Sequence, residues 1–229
     1  MNNLGELLVG NNAKIEKWLN ELDVDLFGIA DMSLYGEEVT GIGDLTLKDL
    51  PYAVSFGLVL SGGVLETLRD GPTQLYLHHY RQLNYRLDMI GYFLGRSIER
   101  EGFRAIPFAA SQVIDWQRQR GHINHKKIGV MAGLGWIGRN NLLVNPRFGS
   151  GARYNTVLTD IPLEVNHELG EDCGACQACV AACPAGAIKN DRFQFDHHGC
   201  YDMLSRFRKE RNIGHHICGV CVKMCRGNR

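Results

Sequence analysis

The first 172 residues contain no cysteine, although the whole chain of 229 has eight. The formal net charge is zero, so no excess of either sign points to nucleic acid or to an anionic membrane surface. No apolar run approaches the ~18 residues of a membrane-spanning helix. A charged-then-apolar leader is missing from the N-terminus, and no twin-arginine pair opens the chain. Together with a thiol-rich stretch that must stay reduced, these absences predict a soluble, cytoplasmic protein with no membrane partner. The sequence also has no P-loop, no H-E-x-x-H and no G-x-S-x-G. Phosphate cradling, zinc-protease chemistry and serine-hydrolase chemistry therefore lack their usual carriers.

What is present is concentrated between residues 173 and 225. The first four cysteines read Cys173-Gly-Ala-Cys176-Gln-Ala-Cys179-Val-Ala-Ala-Cys183-Pro184. This is C-x2-C-x2-C-x3-C-P, the run by which bacterial ferredoxins hold iron–sulfur clusters. The other four are Cys200 and Cys218-Gly-Val-Cys221-Val-Lys-Met-Cys225. Three cysteines at equal spacing can wrap a short loop around one cube, whereas the cysteine before proline points away from it. In two-cluster ferredoxins that fourth cysteine ligates the other cluster. The reading is therefore two [4Fe–4S] clusters, one on Cys173, Cys176, Cys179 and Cys225, the other on Cys183, Cys200, Cys218 and Cys221. Zinc is the competing reading, since two C-x2-C pairs can bind it, but zinc needs neither a third cysteine at that spacing nor the cysteine–proline step. A disulfide scaffold suits two such dense motifs less well than metal does. With all eight thiols assigned, none is left as a nucleophile.

Ahead of the cysteines the periodicities predict a helix over 3–20, with a break near Gly10, and strands at 24–30 and 52–60. A loop over 41–51 with one helical turn lies between those strands. A long helix over 72–101 carries the apolar stripe Leu75, Leu77, Leu83, Leu87, Ile90, Phe93, Leu94 and Ile98, and includes His78, His79 and Tyr80. A strand over 103–110, a polar helix over 115–120 and a short helix over 125–134 follow. Residues 141–144 and 155–158 read as a strand pair around the turn Phe148-Gly-Ser-Gly151, and 161–172 reads as a linker. The fold class is α/β (α+β): an N-terminal α/β domain over 1–165, then a ferredoxin-like double-cluster domain over 166–229.

Residues 130–160 are rich in glycine. Gly133-Leu-Gly135-Trp-Ile-Gly138 satisfies G-x-G-x-x-G, but a helical pattern precedes it and a strand pattern follows. A dinucleotide fingerprint requires the reverse order, with an acidic residue ~20 positions on, so a Rossmann site is rejected. Glycines at this density let backbone approach a large flat ligand.

The segment Ala132-Gly-Leu-Gly-Trp-Ile-Gly-Arg-Asn-Asn-Leu-Leu-Val144, with Phe148-Gly-Ser150 and Leu158-Thr-Asp-Ile-Pro-Leu163, resembles the epoxyqueuosine reductase family. The cysteine run that follows, and the lone Cys200 before the second motif, fit that family's double-cluster module. Tyr80-Arg-Gln-Leu-Asn-Tyr-Arg-Leu87 matches one of its helices loosely. The resemblance covers about 75–229 and is most specific from 130 onward. It implies two [4Fe–4S] clusters passing electrons to a corrinoid (cobalamin), as also in the related reductive dehalogenases, with the cofactor carrying the chemistry. It further implies corrinoid contacts at Leu143, Tyr154 and Asp202, and at Arg139, which replaces a family lysine. The implied partners are a small-molecule or nucleoside substrate and a low-potential donor such as flavodoxin or ferredoxin, with nucleic acid entering only as a tRNA substrate.

Two departures bear on activity. The family's proton-donating aspartate precedes the glycine-rich segment, but the stretch here reads Phe108-Ala109-Ala110-Ser111-Gln112, placing Ala109 at that position. The second motif ends Cys225-Arg226 rather than in proline, and the family's longer C-terminal region does not follow. Epoxyqueuosine is therefore not carried over as substrate, and Tyr80 or a neighbouring histidine is the candidate acid. The alternatives are a non-catalytic electron-transfer protein that serves a partner, or a flavin-dependent reductase on the same scaffold.

Overall fold

A computed structural model describes residues 2–227. The elements run α1 (Asn2–Glu21), β1 (Leu26–Asp31), β2 (Tyr52–Val59), α2 (Gly62–Glu66), α3 (Gln74–Arg100), β3 (Ala105–Pro107), α4 (His125–Met131), β4 (Trp136–Ile137), β5 (Leu143–Val144), β6 (Ala152–Thr159), α5 (Ala178–Ala182), α6 (His197–Glu210) and α7 (Val220–Met224). No described helix is long and apolar enough to cross a membrane.

The chain divides into two compact units, each built from three separate stretches. The first takes the chain up to Leu58, Asn84–Leu134 and Arg153–Leu169. The second takes Val59–Leu83, Gly135–Ala152 and the chain from Gly170 onward. The last of these breaks falls between Leu169 and Gly170. The second unit, however, also draws on two earlier stretches that carry no cysteine.

The first unit is organised by a four-stranded sheet of order β1-β2-β6-β3. β1 pairs antiparallel with β2 in the register Leu26↔Gly57 to Asp31↔Tyr52, and β3 pairs antiparallel with β6 through Ala105↔Thr159. Along β2 and β6 consecutive residues are buried, so the simple alternation of a half-exposed strand is absent and both sheet faces are covered. On α3 the buried stripe is Leu87, Ile90, Leu94 and Ile98, spaced by three and four as helix geometry requires. Each such side chain contributes roughly 1.5–3 kcal/mol by leaving water. Leu75 and Phe93, expected in the same stripe, are exposed because they fall off that face.

Four local expectations are corrected. α1 is unbroken through Gly10. Residues 115–120 form a tight turn rather than a helix: Asp115 and Arg120 exchange backbone hydrogen bonds, and the Asp115 carboxylate accepts from the N–H groups of Gln117 and Arg118. An aspartate that bonds its own following backbone competes with helix formation. Residues 141–144 and 155–158 do not pair with each other. β5 pairs with β4 through Trp136↔Val144, and β6 lies between β2 and β3. The β3 strand is also shorter than the expected 103–110.

The first half of the expected linker 161–172 is packed. Ile161 and Leu163 are buried. Asn166 exchanges two hydrogen bonds of 2.8 Å with the backbone of Ile29, covering the free edge of β1. Asn11 and Asn12 of α1 donate to the carbonyls of Pro162 and Glu164.

Candidate functional site

The cysteines all lie in the second unit, on or beside short helices. Cys179 is on α5, with Cys183 immediately after it. Cys221 is on α7, with Cys225 immediately after it, and Cys200 is on α6. α5 and α7 pack against each other, which brings two cysteine motifs distant in sequence side by side. All eight are free thiols.

Their electrostatics divide them into two groups. Burial pushes the Cys179 thiol up to about 11, and the neighbouring Cys225, Cys173 and Cys176 add to the rise. Cys218 is likewise pushed up to about 11 by burial, with Cys200 and Cys183 as its cysteine neighbours. Burial also raises Cys200, assisted by Cys183 and Asp196, and raises Cys221 further, assisted by Cys218, Cys200, Cys179 and Cys183. Cys179 thus lies among Cys173, Cys176 and Cys225, while Cys218 and Cys221 both lie near Cys183 and Cys200, and Cys221 also senses Cys179. Buried thiolates at such spacing repel one another and cannot all ionise unaided, and bound cations reverse that balance. Among the described residues no group of three or more His, Cys, Asp or Glu side chains is close enough to hold a single metal ion. A tetrahedral zinc site would draw four thiolates to about 2.3 Å from one centre.

The glycine-rich stretch serves this unit. Gly135 has φ +152°, and a Cβ there would lie 1.9 Å from the carbonyl oxygen of Val144. Gly149 has φ +59°, and a Cβ there would lie 2.1 Å from the carbonyl oxygen of Cys225. The close approach that these glycines permit is to the chain's own backbone, and at Gly149 it seats the last cysteine.

Arg139 and Trp136 complete the surroundings of the first loop. The Arg139 guanidinium donates to the carbonyls of Gly174 at 2.8 Å, Cys176 at 3.0 Å and Asn190 at 2.6 Å. The indole Nε1–H of Trp136 donates to Cys173 Sγ at 3.4 Å. Sequence reasoning missed Trp136. Its only signal was its place inside the glycine run.

The remaining predicted residues are distributed as follows. Leu143 is 2% exposed on β5 and Tyr154 is 8% exposed on β6, so the first belongs to the second unit and the other to the first. Asp202 is exposed on α6. Tyr80 is half-buried, its ring 6.4 Å from that of Tyr76 and edge-on to His215 at 6.5 Å. His79 Nε2 accepts the backbone N–H of Ser61 at 2.9 Å, just before α2, and burial lowers its proton affinity. A neutral imidazole already accepting a hydrogen bond is a poor proton donor, which leaves Tyr80 as the stronger of the two.

Around Ala109, in the first unit, the polar side chains form a network. Asp88 accepts the Ala110 N–H at 2.8 Å, Arg153 donates to Asn84 and to the Ala110 carbonyl, and His125 bridges Thr156 and Ala109. Burial raises the Asp88 carboxyl above its ordinary value.

No family model matches the chain. An epoxyqueuosine reductase of Salmonella typhimurium is 31% identical over 202 residues, covering 80% of this chain and 48% of that protein. A reductive dehalogenase, solved in work on B12-dependent dehalogenation, has the same fold with a TM-score of 0.73 at 21% identity, over 94% of this chain and 31% of that one. An epoxyqueuosine reductase solved with an epoxyqueuosine-modified tRNA-Tyr stem loop gives a TM-score of 0.62 at 21% identity, over 96% of this chain and 66% of that one. The chain spans about half the length of the curated relatives it matches over most of its own length. In sequence it is a relative of the epoxyqueuosine reductases, and its mixed α/β fold is the one they share with the reductive dehalogenases.

Proposed function

We propose that this protein is an oxidoreductase that carries two [4Fe–4S] clusters in its second unit and passes electrons through them to a corrinoid that reduces a small-molecule or nucleoside substrate. The observation that carries the cluster reading is the packing of α5 against α7, which brings the two cysteine motifs together, with Cys225 beside Cys179 and with Cys183 and Cys200 beside Cys218. Cys173, Cys176, Cys179 and Cys225 would hold one cluster, and Cys183, Cys200, Cys218 and Cys221 the other. A cluster supplies one-electron storage, and the protein adjusts its potential by hydrogen bonds, charge and burial. Reduced thiols are consistent with a cytoplasmic setting and with a flavodoxin or ferredoxin as donor.

The corrinoid reading rests on likeness to a B12-dependent dehalogenase and to the epoxyqueuosine reductases. The side chains themselves support it less. Leu143 and Tyr154 are buried within their own units, and Arg139 is committed to the cysteine loop. Of the four residues expected to meet the corrinoid, Asp202 is the exposed one. No step is therefore routed through a corrinoid, and these commitments favour a second reading: delivery of low-potential electrons to a partner. Under the first reading Tyr80 is the proton donor, because Ala109 has no acidic group.

The deciding experiment is anaerobic titration of the iron-reconstituted chain with cob(II)alamin, followed by electron paramagnetic resonance of the cobalt. A tight complex with a base-off signal supports the corrinoid enzyme, and substrate screening with Tyr80→Phe follows. Two intact clusters without cobalamin binding support electron delivery, and added flavin mononucleotide then tests the flavin alternative.

A further inference from the structure

We propose that Trp136 and Arg139 form a tuning pair that raises the reduction potential of the cluster on Cys173, Cys176, Cys179 and Cys225 while leaving the other cluster unchanged. This rests on the two-cluster reading and adds a regulatory role for side chains that ligate nothing. The indole N–H is a donor only, and Trp136, 4% exposed, directs it at Cys173 Sγ. An added electron increases negative charge on the thiolate sulfurs, so a fixed donor stabilises the reduced state more than the oxidised one. The donor is held rigidly. Trp136 is locked in β4 opposite Val144, and the vacant Cβ position of Gly138 lies 3.4 Å from the same sulfur.

Arg139 acts on the same loop from its backbone side. Its guanidinium grips three carbonyls, two of which belong to Gly174 and Cys176, within the loop of the first two ligands. It therefore places a permanent positive charge beside this cluster and holds the loop that presents Cys173 to Trp136. The second quartet has different neighbours: the Val220 N–H and the Arg211 charge act on Cys218. Substitution at 136 or 139 should thus shift one potential and spare the other.

The test is a potentiometric titration of the reconstituted full chain, followed by electron paramagnetic resonance. In Trp136→Phe the expected result is full iron content and one cluster about tenfold harder to reduce, ~59 mV lower for a one-electron couple, with the other unmoved. Arg139→Gln should move the same cluster down, and Arg139→Lys, which keeps the charge, should move it less. Wild-type protein labelled with 15N in its tryptophan indoles gives a second readout, namely hyperfine coupling from one nitrogen to a reduced cluster. This readout also decides the matter if Trp136→Phe does not fold. Full iron content with neither potential moved, equal movement of both, or no 15N coupling in the wild type would each overturn the proposal. Wild-type protein that assembles no cluster would instead overturn the functional reading itself, and this inference with it.

Discussion

The imidazole of His125 meets the carbonyl oxygen of Ala109 at 3.2 Å through Nε2, while its Nδ1 lies 2.9 Å from Thr156 Oγ1. A carbonyl only accepts, so Nε2 carries the proton and Nδ1 accepts from the threonine hydroxyl. The ring is therefore neutral and bonded at both nitrogens. Burial, with Arg153 adding to the effect, holds its pKa at about 4, against an ordinary 6.5.

This predicts acid lability. An unfolded chain takes up a proton near pH 6.5 that the folded chain refuses until about pH 4. The contribution is fully present above pH 6.5 and is lost as pH falls through that window, by about 3 kcal/mol in all. Raised by burial, Asp88 acts in the opposite sense: its contribution is present below its ordinary pKa of 3.8 and fades as pH rises past its folded value. Thermal unfolding of wild type and His125→Asn between pH 7.5 and 4.5 should show the wild type losing stability more steeply. Equal slopes would contradict the assignment.

The quartets predict a pattern among double variants. Cys173→Ser and Cys225→Ser should each lose half the iron, and together no more than either alone. Cys173→Ser with Cys183→Ser should lose nearly all of it, since the two serve different clusters. Iron and sulfide analysis of reconstituted protein reads this directly. Full additivity of the first pair would place Cys225 in the other quartet.

Gly149→Ala should be costly out of proportion to one methyl group. The left-handed backbone alone costs about 1–3 kcal/mol for a residue with a Cβ, and the added carbon meets the Cys225 carbonyl oxygen at 2.1 Å. The expected result is a lowered melting temperature together with loss of the cluster that uses Cys225. Gly5→Ala, where a Cβ meets nothing within 4 Å, is the control and should be neutral or slightly stabilising.

Asn155 is fully buried, and its Nδ2 donates to the Leu87 carbonyl at 3.2 Å and to Asp88 at 3.3 Å. Its own carbonyl accepts the Thr156 N–H. Asn155→Ala leaves buried polar groups unsatisfied and should destabilise by about 1–3 kcal/mol, measured by urea denaturation. An unchanged midpoint would show that water replaces the side chain.

Patterns that depend on near neighbours were legible in the sequence. Of the eight-residue stripe expected on α3, Leu77, Leu83, Leu87, Ile90, Leu94 and Ile98 are buried, while Leu75 and Phe93 are exposed. The order of helix and strand around Gly133-Leu-Gly135 also matches the reading that rejected a dinucleotide site. Long-range pairing was not legible. The turn at Phe148–Gly151 suggests a hairpin between its flanks, yet the partners of β6 are β2 and β3, and no local signal specifies them. Nor does any spacing reveal that Arg139 grips carbonyls of residues 174, 176 and 190, because backbone acceptors leave no mark in a sequence.

The interleaving of the two units has a consequence for biosynthesis. As the chain emerges from the ribosome, neither unit can close early: the first needs residues up to Leu169, and the second needs residues 59–83 and 135–152 together with the cysteines. Such distant joins make folding slow. The nascent chain thus exposes half-made hydrophobic surfaces until late in its synthesis, and under the proposed ligand assignment Cys173 waits for Cys225. Iron supply and chaperone cover during that interval, rather than final stability, would then set the yield of active protein, and the segment 166–229 expressed alone would lack two of the three stretches that build its unit.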